Sequence, residues 1–126
     1  MKIIRYIILC LIVVLVNAVK ANAQKDTSSQ IRHVVIVTFK PGTTDSSKHI
    51  VDKTFRQASD AFPMIKAFEW GWDDNDKTQP KHIYVTTFNN KGDLTTYNAS
   101  PQIQAAKKTS SPYVANITTV DYPVNK

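Results

Sequence analysis

The sequence predicts an α+β domain of the ferredoxin-like type: a β-α-β-β-α-β chain whose helices cover one face of a four-stranded antiparallel sheet. Three observations predict it. Four stretches rich in β-branched and aromatic residues are each bounded by turn residues. Between the first two, apolar residues recur at spacings of four, three and four, the period of one helix face. Between the last two stand a pair of helix-start signals.

The first strand is Ile31 to Lys40, IRHVVIVTFK, stopped by Pro41-Gly42. Thr44 can cap the following helix, and Asp45 suits its positive end. Val51, Phe55, Ala58 and Phe62 form the buried stripe, and Pro63 ends the helix. Lys66 to Trp72 alternates, with Phe68, Trp70 and Trp72 on one side and Ala67, Glu69 and Gly71 on the other. DDNDKTQP, residues 73–80, is turn chemistry, and Lys81 to Phe88 is the third strand. Asn90 caps a second helix with Asp93 three residues on, and Leu94 and Tyr97 share a face. Ser100-Pro101 restarts that helix, serine as cap and proline in the first turn, and the segment runs to about Thr109. Tyr113 to Tyr122 is the last strand.

Both faces of the central strands are apolar. Val35, Val37 and Phe39 point one way from the first strand, and Val34 and Ile36 the other; Tyr84 and Phe88 oppose Ile83 and Val85 on the third. A helix-free sheet face this rich in valine and isoleucine needs cover. The same face of a second copy supplies it most simply, so the expected partner is the chain itself, as a homodimer.

The chain opens with a basic stretch holding Lys2 and Arg5, an apolar run from Ile7 to Val16, and Ala21-Asn22-Ala23. That is the pattern of a secretory signal; the alternative is an uncleaved anchor, for which the run is short as a membrane span. The expected organisation is a signal peptide at 1–23, a polar, flexible lead-in at 24–30 and one domain at 31–126. The expected location is secreted or periplasmic, with no membrane attachment after cleavage. The signal carries Lys2, Arg5 and Lys20 and no acid, so half of the formal charge of +6 leaves with it. No basic stripe with interleaved aromatics remains for nucleic acid. Cys10, the single cysteine, leaves too, which excludes a disulfide and a thiol nucleophile from the mature domain.

The stretch FEWGWDDND, residues 68–76, invites a metal reading. Asp73, Asn75 and Lys77 fall on alternate positions of a calcium-type loop, but lysine is no ligand, and neither the turn glycine nor the closing glutamate follows. Trp70 reads as core or interface. His33 and His82 start antiparallel neighbouring strands, which puts their rings near opposite ends, and His49 sits on the exposed side of the first helix. No metal and no cofactor is expected. There is no phosphate-cradling glycine loop and no local support for a catalytic triad.

Three stretches carry a resemblance: His33-Val34-Val35 running into Phe39-Lys40-Pro41-Gly42, then Phe68-Glu69-Trp70-Gly71, then Val120-Asp121-Tyr122. With the spacing of Pro63, His82, Phe88 and Tyr97 between them, they resemble the stress-responsive dimeric α/β-barrel (Dabb) family over about residues 31–124. The resemblance implies a ferredoxin-like subunit whose sheet pairs with a second sheet into a barrel. It also implies a pocket between helices and sheet. From the first strand the lining would be His33, Val35 and Val37, and from the first helix Val51 and Phe55. The third strand would add Tyr84 and Thr86, the second helical unit Leu94, Tyr97 and Ile103, and the last strand Ile117 and Thr119.

Plant members of that family with polyketide cyclase activity carry Tyr-x-x-His-Pro-x-His on the second helix. This chain reads Tyr97-Asn98-Ala99-Ser100-Pro101-Gln102-Ile103. The tyrosine and proline match and both histidines are replaced. Isoleucine at 103 cannot titrate, so the same acid–base mechanism does not carry over. The leading expectation is a non-enzymatic homodimer or a binder of a small apolar molecule. The alternative is a cofactor-free enzyme of the polyketide-cyclase or monooxygenase type, using Tyr97 and His33. An enclosed cavity into which both side chains point favours the alternative, and a filled core the first.

Overall fold

The computed structural model describes residues 29–125 apart from Asp74 and Lys77. The expected signal and most of the expected lead-in lie outside the described residues. The elements run β1 (Ile31–Phe39), α1 (Asp45–Asp60), β2 (Ile65–Asp73), β3 (Lys81–Phe88), α2 (Lys91–Ala99), α3 (Pro101–Ser110) and β4 (Val114–Pro123). One antiparallel sheet has the order β2-β3-β1-β4. This is the ferredoxin-like plan, with the second helical unit in two pieces.

Local chemistry sets the boundaries. Pro41-Gly42 closes a tight turn in which Thr43 N–H bonds Lys40 O at 3.1 Å. Gly42 takes φ of 79°, a conformation that disfavours a side chain, as the third position of such a turn requires. Thr44 Oγ1 accepts from Ser47 N–H at 3.2 Å and starts α1. Asn90 accepts from Asp93 N–H at 2.9 Å and starts α2. The first helix stops earlier than Pro63 suggests. Its cap is Ala61, so Phe62 lies beyond the helix, because the residue before a proline is held out of helical conformation. Phe62 still packs on the core, its ring 5.2 Å from Tyr97.

The core fills the space between helices and sheet. Val37, Phe39 and Phe88 from the strands meet Val51, Phe55 and Ala58 from α1 and Leu94, Ile103 and Ala106 from α2 and α3. Each fully buried large apolar side chain is worth roughly 1.5–3 kcal/mol. Two irregularities keep apolar residues on this face. The β2–β3 register shifts between Ile65 and Ala67, and the β1–β4 register at Thr38/Phe39. An extra residue at each reverses the alternation, so Ile65 and Phe68, and likewise Val114 and Ile117, face the helices.

The opposite sheet face has no helix. Val34 lies beside Val85 and Ile36 beside Ile83, all half-buried within the subunit. Val120 and Tyr122 on β4 extend the patch and are largely exposed. Trp70, expected in the core or an interface, is not in the subunit core, and neither is Trp72. They project on the helix side from β2, an edge strand, and are exposed in the subunit.

Candidate functional site

The break between α2 and α3 positions the site. Ser100 ends one helix and caps the next: its Oγ donates to Tyr97 O at 2.7 Å and accepts from Ile103 N–H at 3.3 Å. Proline at 101 fits the first turn of the new helix. Tyr97 and Ile103 are thereby held in fixed relation from successive helices, and both reach one cavity.

That cavity has a volume of about 470 Å³ and lies between the helices and the sheet. Nine of the twelve residues named from the sequence line it: His33, Val35, Phe55, Tyr84, Thr86, Tyr97, Ile103, Ile117 and Thr119. Val37, Val51 and Leu94 do not. They share the correct face but sit deeper, packed in the core. Three further lining residues are absent from the sequence reading: Phe68, Asn98 and Lys107. Phe68 shares its side of β2 with Trp70 and pairs with Thr86 across the ladder. Lys107 lies one helical turn after Ile103, and that i, i+4 spacing was the available signal.

Polar groups stand in two clusters. In the first, His33 Nδ1 lies 2.6 Å from Asp121 Oδ1. Since a carboxylate only accepts, Nδ1 is the donor of this bond, and a neutral ring then has its lone pair on Nε2. The two residues face each other across the β1–β4 ladder. Tyr97 stands beside them, its ring 6.1 Å from the imidazole. Tyr97 Oη is hydrogen-bonded to Ser59 Oγ at 3.2 Å. Burial pushes the phenol above its ordinary pKa, against the opposing pull of hydrogen bonds from Ser59 and Thr86. Tyr97 therefore keeps its proton at neutral pH and serves as a donor, not a base.

The second cluster centres on Asp52, at the other end of the same face. Its Oδ1 accepts from His82 Nδ1–H at 2.6 Å and from Tyr84 Oη–H at 2.5 Å. Burial, then the Asp52 carboxylate, drives the Tyr84 phenol far above its ordinary pKa. The sequence reading missed Asp52. It falls on the same face as Phe55 and Ser59, at spacings of three and four, so an acid within a buried stripe was the available signal. The two histidines are apart, as His33 pairs with Thr86 and His82 with Val37 along the β1–β3 ladder. Among the described residues no cluster of three or more histidines, cysteines or acids is arranged to hold a metal.

A βαββαβ subunit with a cavity between its helices and its sheet, and with a polar end to that cavity, defines a ferredoxin-like domain with a small-molecule-sized pocket. The chain belongs to the stress responsive A/B barrel domain family, whose model matches residues 31–124. A dimeric ferredoxin-like protein of unknown function from Thermobifida fusca is 18% identical, with a TM-score of 0.68 over 78% of this chain and 93% of that one. A Dabb family protein with a ferredoxin-like fold from Mesorhizobium loti is 21% identical, with a TM-score of 0.65 over 77% and 99%. The hydroxynitrile lyase of Passiflora edulis is 21% identical, with a TM-score of 0.68 over 79% and 96%. At these identities the likeness is one of fold. No curated protein matches the sequence.

Proposed function

We propose that the protein is exported and acts as a homodimer that takes a small, mostly apolar molecule into the cavity of each subunit. The 470 Å³ cavity carries this reading. Its volume is that of a typical small-molecule site, and it has apolar walls with a few polar groups at one end. A packed core would have left no such space. Pairing through the helix-free face is supported by the half-exposed valines and isoleucines there and by the dimeric relative from Thermobifida fusca. Export rests on the signal-like residues 1–23.

Native mass spectrometry of protein isolated from its own source tests all three parts. The expected result is a dimer of chains beginning at Gln24, carrying extra mass that organic extraction removes. Ile103→Trp, which fills the cavity, should remove that mass and leave the dimer. A chain still starting at Met1 would refute cleavage. Added mass that persists unchanged in Ile103→Trp would refute the site.

The cavity is lined by both His33 and Tyr97, which with the His33–Asp121 contact favours a second reading, proton transfer on the bound molecule. In it His33 Nε2 takes a proton while Asp121 holds the imidazolium, and Tyr97 donates a hydrogen bond to the oxygen that gains charge. Tyr97→Phe separates the two readings. For binding alone it should cost one hydrogen bond, about 1 kcal/mol in ligand affinity. For catalysis, turnover should fall about a hundredfold or more with affinity nearly unchanged. Ile103→His should weaken an apolar ligand by roughly 1–3 kcal/mol in the first case.

A further inference from the structure

A second cavity, of about 400 Å³, opens between the first half of α1 and the far ends of β2 and β3. Asp52 lines it, and only 7% of that residue is exposed. Its Oδ1 has two short hydrogen bonds, but its Oδ2 is buried with no hydrogen-bond partner among the described residues. A buried carboxylate oxygen without a donor is costly and rare. The group nearest to filling that need is His49 Nδ1, at 3.8 Å, beyond hydrogen-bond reach. The His49 side chain is 75% exposed, so its ring is free to swing off the oxygen.

Charge and aromatic surface point to the same missing group. Lys48 neutralises Asp45 through a 2.9 Å ion pair. Among the described residues, Asp52, Asp73 and Asp76 then share the wall with Lys81 and the two histidines, His49 and His82. This local excess of acid runs against the basic balance of the chain as a whole, +6. Trp72, 59% exposed, forms the opposite wall with its ring 6.3 Å from His82. An indole face beside carboxylates attracts an organic cation.

We propose that this cavity binds a small protonated amine. The ammonium displaces the His49 ring and donates to Asp52 Oδ2, and the carbon body lies against Trp72. The site is a different cavity from the one at His33 and Tyr97, and the two are linked only where Tyr84, which lines that one, donates to Asp52.

The chain has two tryptophans, Trp70 and Trp72, so indole emission reports on this corner of the molecule alone. Titrating the full protein with benzylammonium chloride should give a saturable change in that emission. Benzyl alcohol, of the same shape but neutral, and calcium chloride should give none at equal concentration. Asp52→Asn should weaken apparent affinity about tenfold or more. Because that change touches a buried network, Trp72→Ala, at an exposed position, is the second variant. It should weaken binding by a similar factor in calorimetry, with the circular dichroism of the parent. No saturable response, an equal response to benzyl alcohol, or a response to calcium in place of the amine would each overturn the proposal.

Discussion

Replacing Phe88 with alanine should lower stability by about 3–5 kcal/mol, the usual cost of emptying a large aromatic site in a core. Phe88 is fully buried at the end of β3, with its ring 5.1 Å from Tyr97 and 6.5 Å from His33. Little else in the domain can absorb the loss. Domains of this size are stable by only about 5–15 kcal/mol, and no disulfide reinforces this one, since Cys10 is the single cysteine. Urea unfolding should therefore show a much lower midpoint with an unchanged slope. Because the Phe88 ring also supports Tyr97 and His33, whatever the first cavity binds should be held more weakly under conditions where the variant is still folded. A loss below 1 kcal/mol would show that neighbouring side chains collapse into the space.

Charging the helix-free face should take the proposed dimer apart. Two lysines, at 34 and 85, are the obvious disruption, but the register argues against that choice. Val34 and Val85 are direct cross-strand partners, so the lysines would repel each other within a single subunit. Val34→Lys with Val85→Glu avoids this. The pair can form an ion pair on an open sheet, whereas pressing both charges into an apolar interface costs several kcal/mol. Sedimentation should find a folded monomer at concentrations where the parent is a dimer. An unchanged dimer would place the interface on another surface.

Much of the fold was legible because the signals are local. Thr44, Asn90 and Ser100 each cap a helix through their own side chain, a matter of three residues. Period-two alternation put Val35 and Val37 on one side of the first strand and Tyr84 and Phe88 on one side of the third, and the family resemblance added His33 and Thr86. Depth on that face was not legible. Val37 and Val51 are sealed while Val35 and Phe55 reach the cavity, and the difference is set by where α1 and α3 cross the sheet. Nor was the His33–Asp121 contact legible, since it joins residues 88 apart through a strand register that a bulge in β4 shifts. The Asp52 cluster needed α1 and β3 brought together in space. Phe62 shows the limit at short range: the apolar period ran through it, and the following proline took it out of the helix.

β4 ends the sheet, and every position after Val114 is exposed. Its outer rim carries a ladder's worth of backbone donors and acceptors that no neighbouring strand among the described residues takes up. Ile117-Thr118-Thr119-Val120 along that rim is β-branched throughout and without charge. Such an edge is a template for further strands. At concentrations well above those of the sedimentation test, the folded subunit should thus associate edge to edge into fibrous or amorphous deposits. A single lysine at Thr118 is the natural gatekeeper against that route.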